Sequence, residues 1–340
     1  MDLKDNDMCN KNVWVKLYGE NSTVTTSYLK AIGAAYQTLG KTVRYFADVD
    51  TPEMSRLDTI VVATAMDCYR LHLKGFKQIV FWSQGVWPEE SFARHEGRLR
   101  LALCNHIEKQ ALVWADKLFL VSRAMLGHYE MKYSLELETK SFVMACSNEE
   151  IHPEAFMVKE KYSHPVFAYA GSLVSYQCID QMLEAYADAK AHFPESRFLF
   201  FTNEVEEAKH RVDALGLKDV VIDNKPQNQL WKYIADAKYG FVLREDTTVN
   251  RVATPTKIST YLASGVIPIY GSCIEAFSET SKHIYKLEYN KDTFIADLTA
   301  IEAEDINASD IFKQYKDYFA ANLSLSSRAD DITEFLKKAV

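Results

Sequence analysis

Short apolar runs alternate along this chain with longer stretches whose apolar residues recur at helical spacing. That alternation is the pattern of parallel strands covered on both faces by helices. In the first half the strands read as Val13–Tyr18, Thr42–Ala47, Thr59–Ala63, Gln78–Ser83, Lys117–Ser122 and Ser141–Ala145. Helices are predicted over Thr23–Leu39, closed by Gly40, over Glu89–Ala115, and from residue 122 to about Tyr133. The polar stretch 147–165 carries two prolines and reads as a linker. A second βα series starts at Val166 and runs to about residue 288, and two acidic helical segments finish the chain.

One segment of the second series carries most of the chemistry. An apolar strand, Gly240–Leu243, enters a polar loop that ends in Ala253-Thr254-Pro255-Thr256-Lys257. A helix begins there, closes at Ala263-Ser264-Gly265, and leads to a second apolar strand, Val266-Ile267-Pro268-Ile269. A charged, hydroxyl-rich loop thus lies at the carboxyl end of a strand and at a helix N-terminus, where backbone N–H groups and the helix dipole receive phosphate.

This segment resembles the nucleotide-sugar loop of glycosyltransferase family 4. A second stretch is similar too: a strand ending in Gly171-Ser172-Leu173, then a helix with Met182-Leu183-Glu184-Ala185. The resemblance covers roughly residues 160–275 well and the first half more loosely. It implies an α/β, GT-B architecture: two doubly wound Rossmann-like domains facing a central cleft. The implied division is 1–150 for the acceptor domain, 151–165 for the linker, 166–310 for the donor domain, and 311–340 for helices packing back across the cleft. The implied activity is that of a retaining, metal-independent hexosyltransferase of bacterial surface-polysaccharide type. Its partners would be a nucleotide-sugar donor, which is a substrate and not a cofactor, and a glycan or lipid-linked saccharide acceptor.

Lys257 is the leading phosphate contact, with Arg251 and Glu245 beside it as catalytic candidates and Arg244 in the same loop. A solvated lysine and surface pairs with Glu245 or Asp246 are the bland alternatives. The donor set is completed by Gly171, Ser172, Leu173, Lys225, Asn250, Thr256 and Thr260. Thr256 would add a hydroxyl or merely cap the helix. The acceptor set comes from two loops of the first half: Gly19 and Asn21, then Gln84, Gly85, Trp87, Glu89 and His95, with Glu90 behind them. An aromatic ring beside carboxylates and an amide suits a sugar, and a loop capping the next helix is the equal alternative.

The chain also departs from the family. Similar enzymes carry arginine at the position of Ser172, lysine near Gln177, glycine near Cys178, and a ribose-holding glutamate at Thr260. Two further readings therefore stay open: a non-catalytic GT-B partner or glycan-binding subunit, and a sugar-nucleotide epimerase.

Bulk properties narrow the field. At 340 residues the chain is long enough for two domains, and 48% of it is hydrophobic. A net charge of −8 argues against a nucleic-acid binder. Six scattered cysteines without a C-x-x-C pair fit a reducing compartment. The N-terminus is polar and acidic, unlike a signal peptide, and no apolar run is long enough to span a membrane. The expectation is a cytoplasmic protein with peripheral contact at the inner face of the cell membrane. Asp48-Val49-Asp50 reads as loop acids, and the nine histidines show no metal-binding spacing, so no metal is expected.

Overall fold

The computed structural model describes residues 12–19, 23–47, 53–147 and 149–338. Asn21 and the acids of 48–50 therefore lie outside the described residues. The chain divides into two compact units, the second being Ser147–Leu323 and the first the remainder on either side of it. Each is built on a six-stranded sheet whose strands all run parallel. This is the two-domain, doubly wound α/β fold of the GT-B class.

The first unit runs β1 (Asn12–Lys16), α1 (Thr23–Thr38), β2 (Thr42–Phe46), β3 (Thr59–Val62), α2 (Ala65–Leu73), β4 (Ile79–Ser83), α3 (Trp87–His95), α4 (Arg98–Trp114), β5 (Lys117–Leu120), α5 (Arg123–Tyr133) and β6 (Ser141–Val143). Its sheet order is β2-β1-β3-β4-β5-β6. Every residue of β3, β4 and β5 is buried, as strands covered on both faces must be.

The structure departs from the sequence reading at two places here. Helix α2 was not foreseen; Thr64 caps it, its hydroxyl accepting from the Asp67 N–H at 3.1 Å. The long helix expected over 89–115 is two helices, and α3 begins earlier, inside the expected loop 83–95. Pro88 at the start and Glu89 and Glu90 in the first turn favour helix there. The break comes where Glu96 turns left-handed (φ 46°) and Gly97 is extended.

The second unit runs α6 (Pro153–Phe156), β7 (Val166–Ala170), α7 (Ile179–His192), β8 (Arg197–Phe201), α8 (Val205–Ala214), β9 (Val220–Asp223), α9 (Leu230–Tyr233), β10 (Tyr239–Val242), α10 (Thr248–Val252), α11 (Thr256–Ala263), β11 (Ile267–Tyr270), α12 (Glu275–Thr280), β12 (Leu287–Glu288), α13 (Phe294–Glu302) and α14 (Ala308–Asn322). Its sheet order is β12-β11-β10-β7-β8-β9. The chain runs outward from β7 through β8 to β9 and then crosses back to β10 on the other side of β7, so a crevice opens between the carboxyl ends of β7 and β10.

The last helix, α15 (Ala329–Lys337), belongs to the first unit. Its Ile332, Phe335 and Leu336 join the core formed by Tyr28, Leu29, Ile32, Val80 and Phe119. Phe335 meets Phe119 edge to face at 5.3 Å. Two hydrogen bonds pin the segment: Lys117 Nζ donates to the Lys338 carbonyl at 2.6 Å, and Arg328 to that of Val143 at 2.8 Å. Residues 311–322, grouped with this helix in the sequence reading, belong instead to α14 within the second unit.

Ile332 is 1% exposed. Ile332→Ala is expected to lower the first unit's stability by about 2–5 kcal/mol, measured by denaturant unfolding.

Candidate functional site

The crevice between β7 and β10 holds a cavity of about 270 Å³. Four strand ends contribute: Ala170–Ser172 after β7, Phe201–Asn203 after β8, Asn224 and Lys225 after β9, and Thr256, Lys257, Thr260 and Tyr261 of α11, which follows β10. Lys225 and Lys257 are the only charged residues in this lining; no carboxylate is among them. The sequence as a whole carries 47 acids against 39 bases, so the sign of the cavity runs against that of the chain.

Lys257 is the distinctive group. It stands in the first turn of α11, where the helix dipole already disfavours a cation. Its ammonium lies 5.2 Å over the Tyr169 ring and donates to Gln177 Oε1 at 3.0 Å. That is the one hydrogen bond it makes among the described residues, and no carboxylate pairs with it. Burial, with Arg244 nearby, pulls its pKa down to about 7. Arg244 lies over the Tyr176 ring at 5.0 Å, and its Nε is buried without a partner. Two cations converge here, both short of acceptors.

The opposite wall is the turn after β7. Gly171 adopts φ 155°, and a Cβ built there would fall 2.7 Å from Lys257 Cε and Nζ. The backbone conformation favours glycine, and a side chain there would push the end of Lys257 out of its place. The Gly171 N–H is tied to the Phe201 carbonyl at 2.9 Å, and the Tyr169 hydroxyl fixes the turn through the Ser172 carbonyl at 2.7 Å.

The family departures acquire physical content here. Cys178 sits in the left-handed region (φ 51°), a conformation glycine holds without strain. Gln177 is buried and supplies the acceptor for Lys257. Thr260 is buried, and its hydroxyl donates to the Thr256 carbonyl at 3.2 Å. Thr256 does not cap α11; the cap position is Pro255, which has no side-chain donor or acceptor.

Of the expected donor residues, the structure gathers Gly171, Ser172, Lys225, Thr256, Thr260 and Lys257 around one cavity. Lys225 is engaged by Asp223 at 2.5 Å. The others stand apart from the lining. Arg251 is exposed and holds Asp246 through two bonds of 2.5 and 2.8 Å, the surface pair weighed as its alternative. Glu245 is exposed; Asn250 is buried and anchors the loop by donating to the Glu245 carbonyl at 2.9 Å. The Leu173 N–H donates to Glu204 at 2.7 Å.

The first unit has its own cavity, of about 610 Å³, between the ends of β3 and β4. Gln84, Gly85 and Trp87 line it, together with Glu90. Gly85 makes room for the Glu90 carboxyl, because a Cβ there would lie 2.0 Å from its Oε1. Glu89 is not in the lining; it pairs with Lys132 at 2.7 Å and His128 at 3.1 Å. His95 and Gly19 are exposed and equally absent from it.

Sequence reading missed the cavity's innermost group, Glu108. It is 1% exposed, accepts from the Tyr133 hydroxyl at 2.8 Å, and lies 3.3 Å from Lys132 Nζ. Burial pushes its carboxyl up to about 7. A signal existed: Cys104, Glu108 and Ala111 share one helical face, so an acid interrupts the buried stripe of α4. Among the described residues no group of three or more His, Cys, Asp or Glu is arranged to hold a metal ion, and no helix is long and apolar enough to cross a membrane.

A doubly wound α/β pair of this kind is found in several solved structures. Anabaena HepE in complex with UDP and glucose superposes with TM-score 0.66 at 13% identity, over 97% of this chain and 100% of that one. Sucrose-phosphate synthase from Thermosynechococcus elongatus gives 0.68 at 13% identity, over 96% and 98%. S. aureus TarM, in complex with UDP, gives 0.59 at 8% identity; 84% of this chain aligns with 56% of that one. No family model and no curated protein matches the sequence.

The Lys257 environment has a direct consequence for stability. Its folded pKa lies below the unfolded value of 10.5, so between about pH 7 and 10.5 the unfolded chain binds more protons and stability rises with pH. Lys257→Met is expected to flatten that slope and raise the melting temperature at neutral pH, measured by thermal denaturation across the same range.

Proposed function

We propose that this chain is a glycosyltransferase that moves a hexosyl group from a nucleoside-diphosphate sugar to a hydroxyl of a glycan or lipid-linked saccharide, without a metal and with retention. The observation that carries the reading is the acid-free crevice of the second unit, with a buried, under-bonded Lys257 at a helix N-terminus. Such a place suits a diphosphate. Asn203, Asn224, Lys225 and Gln227 offer polar groups to ribose and base. UDP and UDP-glucose in the HepE structures, and UDP in that of TarM, support a uridine donor.

In the reaction the bond between anomeric carbon and phosphate oxygen breaks, and the diphosphate leaves with the electron pair. The acceptor hydroxyl forms the new bond, and its proton goes to the leaving group. Lys257 and the first N–H groups of α11 would stabilise the departing charge, with the Gly171 turn leaving room for it. No carboxylate lines the donor cavity to serve as a covalent nucleophile of the hydrolase kind. The cavity of the first unit, with Trp87, Gln84, Glu90 and Glu108, would hold the acceptor sugar.

The departures at Ser172, Gln177 and Thr260 keep a second reading in view, a donor-binding chain without turnover. Thermal stabilisation by UDP-, GDP-, dTDP- and CMP-sugars separates the two when followed by product analysis. Stabilisation by one sugar nucleotide, with transfer to a saccharide, is expected; stabilisation without product favours the non-catalytic reading. An epimerase would convert the donor with no acceptor present. Lys257→Ala should weaken donor binding about 10- to 100-fold, the worth of one charge-assisted contact.

Diphosphate binding should also carry a proton with it. With a free-state pKa of about 7 for Lys257, binding at about pH 8 draws roughly one proton from solvent, and affinity falls as pH rises further. Calorimetry in buffers of different ionisation enthalpy reads the uptake directly.

A further inference from the structure

Two lysines of the second unit are depressed alike, and the space around them is not alike. Burial pulls Lys161 and Lys257 both down to about 7. Lys161 Nζ donates to the carbonyls of Ala155, Ala235 and Ser264 at 3.1, 2.6 and 2.7 Å. No direction around that nitrogen is left for an incoming atom. Lys257 Nζ donates once, to Gln177 Oε1, and lines the cavity of about 270 Å³. Gly171 stands on its flank, where a Cβ would come 2.7 Å from Nζ. The groups facing it are the Tyr169 ring and Arg244; Lys225, in the same lining, is held by Asp223. No carboxylate pairs with Lys257 to keep its proton, and the charges around it draw anions.

We propose that Lys257 is a site of covalent acylation by small acyl phosphates, which the cavity draws in by their phosphate and presents to Nζ by their carbonyl. The nitrogen lone pair attacks the acyl carbon. The bond from that carbon to the bridging oxygen breaks, and inorganic phosphate leaves with the electron pair and takes the proton shed by nitrogen. An amide remains, which carries no charge. At about pH 7.5 an amine like Lys257 is roughly three-quarters neutral, against about 0.1% for an ordinary lysine. Weaker basicity lowers its intrinsic reactivity, but by less than that gain. Lys161 shares the acidity without the access, so geometry and not acidity selects Lys257. Acylation would remove the one cation that the donor diphosphate meets unpaired; only this consequence rests on the transferase reading.

The test is incubation of the full chain with acetyl phosphate, with acetyl occupancy followed at every lysine by peptide mass spectrometry. Lys257 is expected to acetylate about tenfold or more faster than the exposed Lys159, with Lys161 behind both. Inorganic phosphate should compete. Arg244→Ala should slow the reaction about threefold or more, by returning protons to the amine and removing one attraction for the anion. Lys257 no faster than Lys159, equal acetylation of Lys161, no competition by inorganic phosphate, or an undiminished preference with a neutral acetyl ester overturns the proposal. Protection by sugar nucleotides is scored apart. Acetylation that phosphate blocks and no sugar nucleotide blocks would leave the modification standing and count against the donor site.

Discussion

A buried cation with too few acceptors is the constraint on which the rest of the second unit turns. Two other buried lysines show what a structural role looks like. Lys161 donates to the carbonyls of Ala155, Ala235 and Ser264, and Lys238 pairs with Glu302 at 2.7 Å. Lys257 has one neutral amide oxygen and a tyrosine face. Folding it there costs free energy that this one hydrogen bond and ring face return only in part. The strand order puts this unmet charge at a switch point, the Gly171 turn leaves space against it, and the α11 N-terminus adds donors of the same polarity. Each element would be unremarked alone; their convergence asks for an anion.

The two cavities are opposite in sign. One is lined by lysines without acids, the other by Glu90 and Glu108 without a cation in its lining. In the first unit Lys132 stands behind the wall, bridging Glu89 and Glu108, so the acids are held in place from outside. A phosphate would be repelled from that cavity and drawn to the other. Two substrates differing in charge could be sorted by this contrast before any detailed fit is made.

Much of this was legible in the sequence, for identifiable reasons. Apolar runs bounded by polar turns mark parallel strands clearly, because strands covered on both faces cannot hide their composition; the GT-B architecture came from the resemblance and not from the strand pattern. Lys257 and Gly171 were singled out by the motif around them, and the structure places them on one cavity at a helix start and a positive-φ turn. Glu108 left only a faint trace, an acid inside the apolar stripe of α4, and its pairing with Lys132 left none, because burial of a charge in α4 depends on α5 lying across it. Arg251 and Glu245 stood behind Lys257 as further candidates from one loop. Only the path of that loop shows Arg251 spent on Asp246 and Glu245 in solvent. Helix α2 was hidden by its short span, and the α3–α4 break by a left-handed glutamate that no propensity favours.

Helix α15 makes the first unit discontinuous along the chain. The apolar face formed by Tyr28, Leu29 and Ile32 is completed by residues emerging only after all of 147–323 has been made. At typical synthesis rates that interval is roughly 10–35 s. The amino-terminal unit must therefore wait with part of its core open while the later unit, whose sequence is unbroken, can close first. Of the two units, the one made first is thus the one that carries open apolar surface for longer.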